Sequence, residues 1–205
     1  DRRADNQAAR IGEKYAKSNG CGLRGGYGGA SLALLGGEGR IKSGYKALSI
    51  SDYLCCVLSG CAASEPTHAA SWGIFDITAG EWNEKIIDEL SIPRAVLPRL
   101  NPTSGVLGNI IPAIADELGL SHQAAVYSPI GDNQAAVIGA RGTAKNAAVL
   151  NLGTGGQLSI PRKSGEYIEG FETRPMPDGS FILVGASICG GWTYAYLKDF
   201  FKSFT

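Results

Sequence analysis

The sequence predicts an α/β fold, and two observations carry that prediction. Helix patterns dominate the first part of the chain and short strand patterns the later part, a mixture that belongs to layered helix-and-sheet architectures. Glycine is the second: 29 of 205 residues, roughly twice ordinary usage. These glycines have no period of three, and 44% of the chain is hydrophobic, enough for a packed core. They belong in turns and close backbone approaches, not in a fibre or a disordered tail. A domain takes about 100–200 residues, so the length suits one large domain or parts of two. The change of pattern places a boundary near Ala140 to Lys145, and no internal repeat is visible.

Taken in order, Asp1 to Lys17 is rich in helix formers, with Ile11 and Tyr15 one turn apart. Six glycines between Gly20 and Gly29 predict a loop, and the apolar run Ala30 to Leu35 reads as helical. Ser51-Asp52 can cap a helix through Tyr53, Leu54, Val57 and Leu58 that ends at Gly60. Cys55, Cys56 and the leucines there read as core. A polar stretch, 63–68, leads into 69–76, and Thr78-Ala79-Gly80 turns the chain. Glu81 to Leu90 reads as one helix, with Trp82, Ile86 and Leu90 on one face. Pro93, Pro98 and Pro102 mark a loop, and Ile110 to Leu118 is a helix ended by Gly119. Ala124 to Ser128 is a strand that runs into Pro129-Ile130-Gly131-Asp132-Asn133. Gln134 to Ala140 suits a small-residue helix against a sheet. Ala147 to Leu152, Gln157 to Ile160 and Phe181 to Val184 read as strands, the first two joined by Gly153-Thr154-Gly155-Gly156. Tyr194 to Thr205 is an amphipathic helix. An opening Asp1 and a last helix with no stop signal predict a chain cut at both ends.

Composition removes several function classes. Lys+Arg and Asp+Glu each number 19, for a net charge of zero, so the basic excess of a nucleic-acid footprint is missing. No apolar run approaches the roughly 20 residues of a membrane span, and no signal peptide opens the chain. Cysteines 21, 55, 56, 61 and 189 are odd in number and irregularly spaced, with His68 and His122 the only histidines. That pattern argues against a zinc site and for reduced thiols in an intracellular protein. No Gly-x-Ser-x-Gly elbow is present, which argues against a hydrolase. Gly20-Cys21-Gly22-Leu23-Arg24-Gly25 matches GxGxxG but follows a helix pattern where a dinucleotide site needs a strand. Trp72, Trp82 and Trp192 read as core or cleft packing.

Two features remain that can do chemistry. Asp132 follows a strand and a glycine, and ligands of α/β sheets gather at carboxyl ends of strands. A lone carboxylate there can take a proton from an attacking hydroxyl. On spacing alone, a turn in which Asp132 and Asn133 bond their own backbone is the simpler reading. Gly153-Thr154-Gly155-Gly156 can aim several N–H groups and one hydroxyl at a single anion, such as a nucleotide phosphate. It can equally be an ordinary hairpin turn.

Several segments fall in a telling order: Asp1-Arg2-Arg3; Gly26-Tyr27-Gly28-Gly29-Ala30; Ala69-Ala70-Ser71-Trp72-Gly73 with Asp76 and Trp82-Asn83; Leu97-Pro98 and Gly105; Gly131-Asp132-Asn133-Gln134-Ala135; Leu150-Asn151-Leu152-Gly153-Thr154-Gly155; and Gly185-Ala186-Ser187-Ile188. Together they resemble the FGGY family of carbohydrate kinases, within it the sedoheptulokinases, over essentially the whole chain. The resemblance implies an actin-like, ribonuclease-H-like two-domain sugar kinase fold, incomplete at both ends. Residues 1–140 would be the later part of an N-terminal sugar-binding domain, and 141–205 the start of a C-terminal nucleotide-binding domain. It implies ATP and magnesium in a cleft opposite an open-chain sugar or polyol. Asp132 would be the catalytic base, Asn133 and Asp1 would bind the sugar, and Gly153, Thr154, Gly155 and Gly185 would bind the nucleotide. No residue is implied as a metal ligand.

The implied activity is ATP-dependent phosphorylation of a sugar hydroxyl, the sugar a ketose such as sedoheptulose. A non-catalytic nucleotide- or sugar-binding member of the same fold is the other reading. The implied partners are a small sugar and ATP, with no nucleic acid or membrane, a cytoplasmic location, and a homodimer left open. The family's first phosphate loop, Asp-x-Gly-Thr, and its glycine-rich adenosine segment are not in the chain, so these residues alone are expected to be inactive. Pro66, Thr67 and His68 stand where relatives commonly carry an acidic residue.

Overall fold

The computed structural model describes residues 2–144, 146–153, 155–187 and 190–204. The single helix expected over residues 1–17 is two, α1 (Asp5–Ile11) and α2 (Ala16–Asn19). Gly12 separates them: it takes φ 51° and ψ −123°, outside the helical region, while its N–H still closes α1 on the Ala8 carbonyl. The glycine cluster that follows is not all loop, because α3 (Gly28–Gly37) begins inside it. The cause is close packing. A Cβ on Gly29 would sit 2.3 Å from Ile74 Cγ2, and one on Gly20 would sit 2.1 Å from the Thr173 carbonyl oxygen. Only a residue without a side chain lets these backbones approach so closely.

Helix α4 (Ile50–Ser59) begins before the expected cap. Ser49 is the N-cap, and Asp52 completes a capping box: Asp52 N–H donates to Ser49 Oγ at 3.1 Å and Ser49 N–H to Asp52 Oδ2 at 3.4 Å. Gly60 ends it in the left-handed conformation, as expected. The core reading of this helix fails. Ile50, Tyr53, Leu54 and Val57 are exposed, and only Cys55 and Leu58 lean on a small cluster of Ile110, Ala115 and Val126. The helix lies at the surface and gives the interior one narrow face.

A short parallel pair, β1 (Ala63–Ser64) and β4 (Arg99–Leu100), borders the main core, against which Leu100 packs. Between them run α5 (Pro66–Ala69), a 3-10 turn over Ala70–Trp72, the pair β2 (Phe75–Asp76) and β3 (Glu81–Trp82), and α6 (Glu84–Glu89). The helix expected over Glu81 to Leu90 therefore loses its first turn, because Trp82 pairs with Phe75 across β2–β3. The Trp82 indole donates to the Pro98 carbonyl at 3.0 Å, and its ring lies 5.3 Å from that of Trp72 and 6.0 Å from that of Phe75. Ile74, Ile86 and Ile87 close around these rings with almost no exposure. Burial of each such side chain stabilises the fold by about 1.5–3 kcal/mol.

Strand β5 (Val106–Asn109), which the sequence pattern misses, pairs antiparallel with β6 (Ala125–Tyr127) around α7 (Pro112–Leu118). Helix α8 (Asp132–Arg141) follows, beginning two residues before the expected Gln134. The rest is a four-stranded antiparallel sheet in the order β7 (Val149–Leu152), β8 (Gly156–Arg162), β10 (Phe181–Ser187), β9 (Glu172–Pro175), and then α9 (Gly191–Lys202). Trp72 and Trp82 are core as expected. Trp192 on α9 is 65% exposed and, among the described residues, stacks on Tyr196.

The sequence pattern also misses β9, whose four residues (Glu172–Pro175) have no apolar alternation. Tertiary bonds fix it. The Tyr27 hydroxyl donates to Glu172, Thr173 N–H to the Gly20 carbonyl at 2.7 Å, Arg174 Nη1 to the Ala70 carbonyl, and Gln134 Nε2 to the Pro175 carbonyl at 3.0 Å. A strand beyond the expected boundary near residues 140–145 is thus bonded to four segments before it. Among the described residues, no helix is long and apolar enough to cross a membrane.

Candidate active site

The N-terminus of α8 opens into a cleft of about 530 Å³. Its far wall is the β8–β10–β9 face and its near wall is α5. Gln134 and Val137, one turn apart on α8, are buried: Gln134 through its bond to Pro175, and Val137 against Met176, Ile182 and Val184. That anchoring leaves Asp132 and Asn133 at the cleft. Asp132 is the first residue of α8, where a negative side chain suits the partial positive charge of the helix N-terminus. Its Oδ1 accepts the Asn133 amide at 2.7 Å, and among the described residues nothing else bonds its carboxylate. Asn133 Oδ1 accepts from Ser159 Oγ on β8 at 3.4 Å.

Behind Asp132 lies an acid that the sequence reading missed. Glu65 is fully buried and caps α5. Its Oε1 accepts the His68 amide at 2.8 Å and the Thr67 hydroxyl, and its Oε2 accepts the Thr103 hydroxyl at 3.1 Å. Thr67 Oγ1 in turn accepts the Gly131 amide at 2.7 Å. Pro66, Thr67 and His68 thus follow directly on a buried acid, which does not itself line the cleft. Pro66 at the first helical position was the available signal, since it makes the residue before it the cap. His68 Nε2 lies 3.1 Å from Ser51 Oγ at the mouth of the cleft.

The opposite wall carries two charges that neutralise each other. Arg174 donates to Glu172 Oε2 through Nε at 3.0 Å and Nη2 at 2.5 Å, and to the Tyr27 hydroxyl at 3.2 Å. Burial alone would raise the Glu172 carboxyl, but the Arg174 charge and the bonds from Tyr27 and Arg174 hold it below the usual carboxylate range. Burial pushes the neighbouring Cys21 thiol up to about 11 and raises the Tyr27 phenol as well. Asp132 is left as the one cleft-lining carboxylate without a cationic partner among the described residues. The other cleft-facing groups, among them His68, Ser71, Asn133 and Gln157, are those that bond hydroxyl groups.

The remaining expected site residues lie apart from this cleft or outside the described set. Gly153 and Gly155 are exposed in the turn between β7 and β8, against the start of α9. The Gly191 amide donates to the Gly153 carbonyl at 2.6 Å, and a Cβ on Gly190 would lie 2.3 Å from the Gly155 carbonyl oxygen. Gly185 pairs with Leu158, and its hydrogen faces the Phe171 ring, which a Cβ would meet at 3.1 Å. None of these three glycines lines the cleft that holds Asp132. Asp1, Thr154, Ile188 and Cys189 lie outside the described residues. Among the described residues, no three His, Cys, Asp or Glu side chains gather to hold a metal ion.

Comparison with known proteins bears on this arrangement. A sequence profile for the N-terminal domain of the FGGY family of carbohydrate kinases matches residues 37–139. A xylulose kinase of Lactococcus lactis subsp. lactis is 27% identical over 153 residues, covering 73% of this chain and 30% of the relative. A glycerol kinase of Aeromonas salmonicida is 29% identical over 145 residues, covering 68% of this chain and 28% of the relative. The chain thus spans less than a third of these curated relatives. Among solved structures, a xylulose kinase from Rhodospirillum rubrum superposes with a TM-score of 0.84 at 20% identity, over 95% of this chain and 41% of that one. The α/β fold is the one these kinases share, the actin-like and ribonuclease-H-like architecture that the resemblance implies.

Proposed function

The chain belongs to the FGGY family of carbohydrate kinases, and on that footing we propose that it carries the acceptor site and base of an ATP-dependent kinase for a neutral open-chain sugar or polyol. One observation carries the reading: among the described residues a single unpaired carboxylate, Asp132, faces a cleft whose other formal charges, Arg174 and Glu172, cancel. Such a cleft suits a hydroxyl-rich, uncharged acceptor.

Asp132 takes the proton of the acceptor hydroxyl as that oxygen bonds the γ-phosphorus of ATP. The bond from that phosphorus to the β–γ bridging oxygen breaks, and ADP leaves with the electron pair. Asn133 bonds and orients the acceptor, and Asp1 is a second sugar contact. Gly153, Thr154 and Gly155, with Gly185 near the nucleotide, hold ATP phosphates through backbone N–H groups and one hydroxyl. Magnesium fits as a companion of those phosphates: with one lining carboxylate unpaired, phosphate and water would fill most of its positions. When bound, it neutralises phosphate charge.

In this division of labour, residues 1–140 belong to the sugar-binding domain and 141–205 begin the nucleotide-binding domain. The acceptor is a ketose such as sedoheptulose. The relatives named as xylulose and glycerol kinases set the shorter end of the panel to test. A coupled ADP-release assay of the natural protein carrying this chain, run over ketoses and polyols of three to seven carbons, should show turnover. Asp132→Ala should abolish it with the fold intact. Near wild-type turnover in the purified variant would remove Asp132 from the role of base. Sugar or nucleotide binding with no ADP release would favour a non-catalytic member of the fold.

A further inference from the structure

We propose that Glu65 and Thr67 form a relay that sets the carboxylate of Asp132, which makes them positioning residues for the transfer proposed above, on which this inference rests. Glu65 accepts at both oxygens: the His68 amide and the Thr67 hydroxyl at Oε1, the Thr103 hydroxyl at Oε2. The one proton of the Thr67 hydroxyl is therefore committed to Glu65, and only lone pairs remain on its oxygen. One of them takes the Gly131 amide at 2.7 Å. The direction of the chain is fixed, from Gly131 N–H to Thr67 to Glu65, and both side chains are buried.

The last member explains the purpose. Gly131 is the N-cap of α8, and its amide, in the peptide from Ile130, lies one residue before Asp132. No bond within the helix reaches that amide, since the first N–H groups of a helix have no internal partner. Thr67 supplies the partner from one side. Gln134, anchored on the Pro175 carbonyl, closes the other, and a Cβ on Gly131 would lie 2.3 Å from Gln134 Oε1. The Gly131 backbone, one residue before Asp132, is thus bonded by Thr67 from α5 and packed against the buried side chain of Gln134. Misplacing a reacting group by about 1 Å can cost on the order of a hundredfold in rate, so a hold on this backbone acts on the chemical step.

The test uses Thr67→Val, which keeps the shape and removes the hydroxyl, and Thr67→Ser, which restores it, in the natural protein. Thr67→Val should lower kcat tenfold or more and leave KM for ATP within twofold, and Thr67→Ser should recover most of the loss. Hydrogen exchange at the Gly131 amide should quicken at least tenfold in Thr67→Val and stay slow in Thr67→Ser. A Thr67→Val enzyme with full kcat and only a lower melting temperature would overturn the relay, while the role of Asp132 stood. Unchanged exchange at Gly131 would overturn it whatever the turnover. Full turnover in Asp132→Asn would instead show that the function proposed above had failed.

Discussion

Arg174 and Glu172 stand two residues apart on β9, on one face of the strand, and clamp each other through Nε and Nη2 on a single carboxylate oxygen. The Arg174 side chain is 10% exposed and that of Glu172 35%. Removing one partner of a buried pair strands the other. Arg174→Met should lower the unfolding free energy in urea by about 3 kcal/mol, the low end for a buried pair because Glu172 keeps some water. The double variant Arg174→Met, Glu172→Gln should recover part of it. A loss under about 1 kcal/mol would mean the pair carries little of the fold.

The same pair sets an acid limit. The Glu172 carboxyl is held below its ordinary value in the folded protein. Its contribution is therefore fully present above the unfolded value of about 4.3 and is lost as pH falls through the lower folded value. The melting-temperature gap between the natural protein and Glu172→Gln should be widest above about pH 5 and narrow steadily toward pH 3. A gap independent of pH would contradict this.

Cys21 is buried, with its thiol pushed up to about 11. The thiolate is the reactive form, so Cys21 should escape iodoacetamide at pH 8 until the protein unfolds. Cys55, Cys56 and Cys61, all half-buried, should be modified earlier. Peptide mass spectrometry after partial alkylation gives the order, and early labelling of Cys21 would refute it.

The glycines divide by what surrounds them. Gly29→Ala would place a methyl 2.3 Å from Ile74 Cγ2 and 2.9 Å from the Trp72 carbonyl oxygen, and should cost about 1–3 kcal/mol by overpacking. Gly139 lies inside α8 with nothing within 4 Å of an added Cβ. Gly139→Ala should therefore stabilise by about 0.5–1 kcal/mol. Thermal denaturation of both variants checks the opposite signs.

Local chemistry was legible where it was strong. Gly60 and Gly119 end their helices as the sequence suggests, and the hairpin around Gly153 to Gly156 is where the strand patterns place it. The misreadings have particular causes. Trp82, Ile86 and Leu90 keep a helical spacing, yet Trp82 belongs to a strand because its ring is drawn between Phe75 and Trp72. Leu54 and Val57 are apolar and exposed, so composition alone could not orient α4. Glu65 escaped notice because glutamate is not among the favoured N-cap residues, and its role depends on Thr103 and Gly131, far along the chain. For Asp132, the sequence offered a base or a self-bonded turn. The structure shows the self-bond, to the Asn133 amide, and a cleft-facing carboxylate together.

The four residues of β9 each hold a different earlier segment, at Tyr27, Gly20, Ala70 and Gln134. In mechanical terms the strand is a tie bar. It couples α3, the turn after α2, the α5 wall and the helix that carries Asp132, so load on any one passes to the other three. Ile50, 84% exposed at the start of α4, lines the cleft from outside that tie.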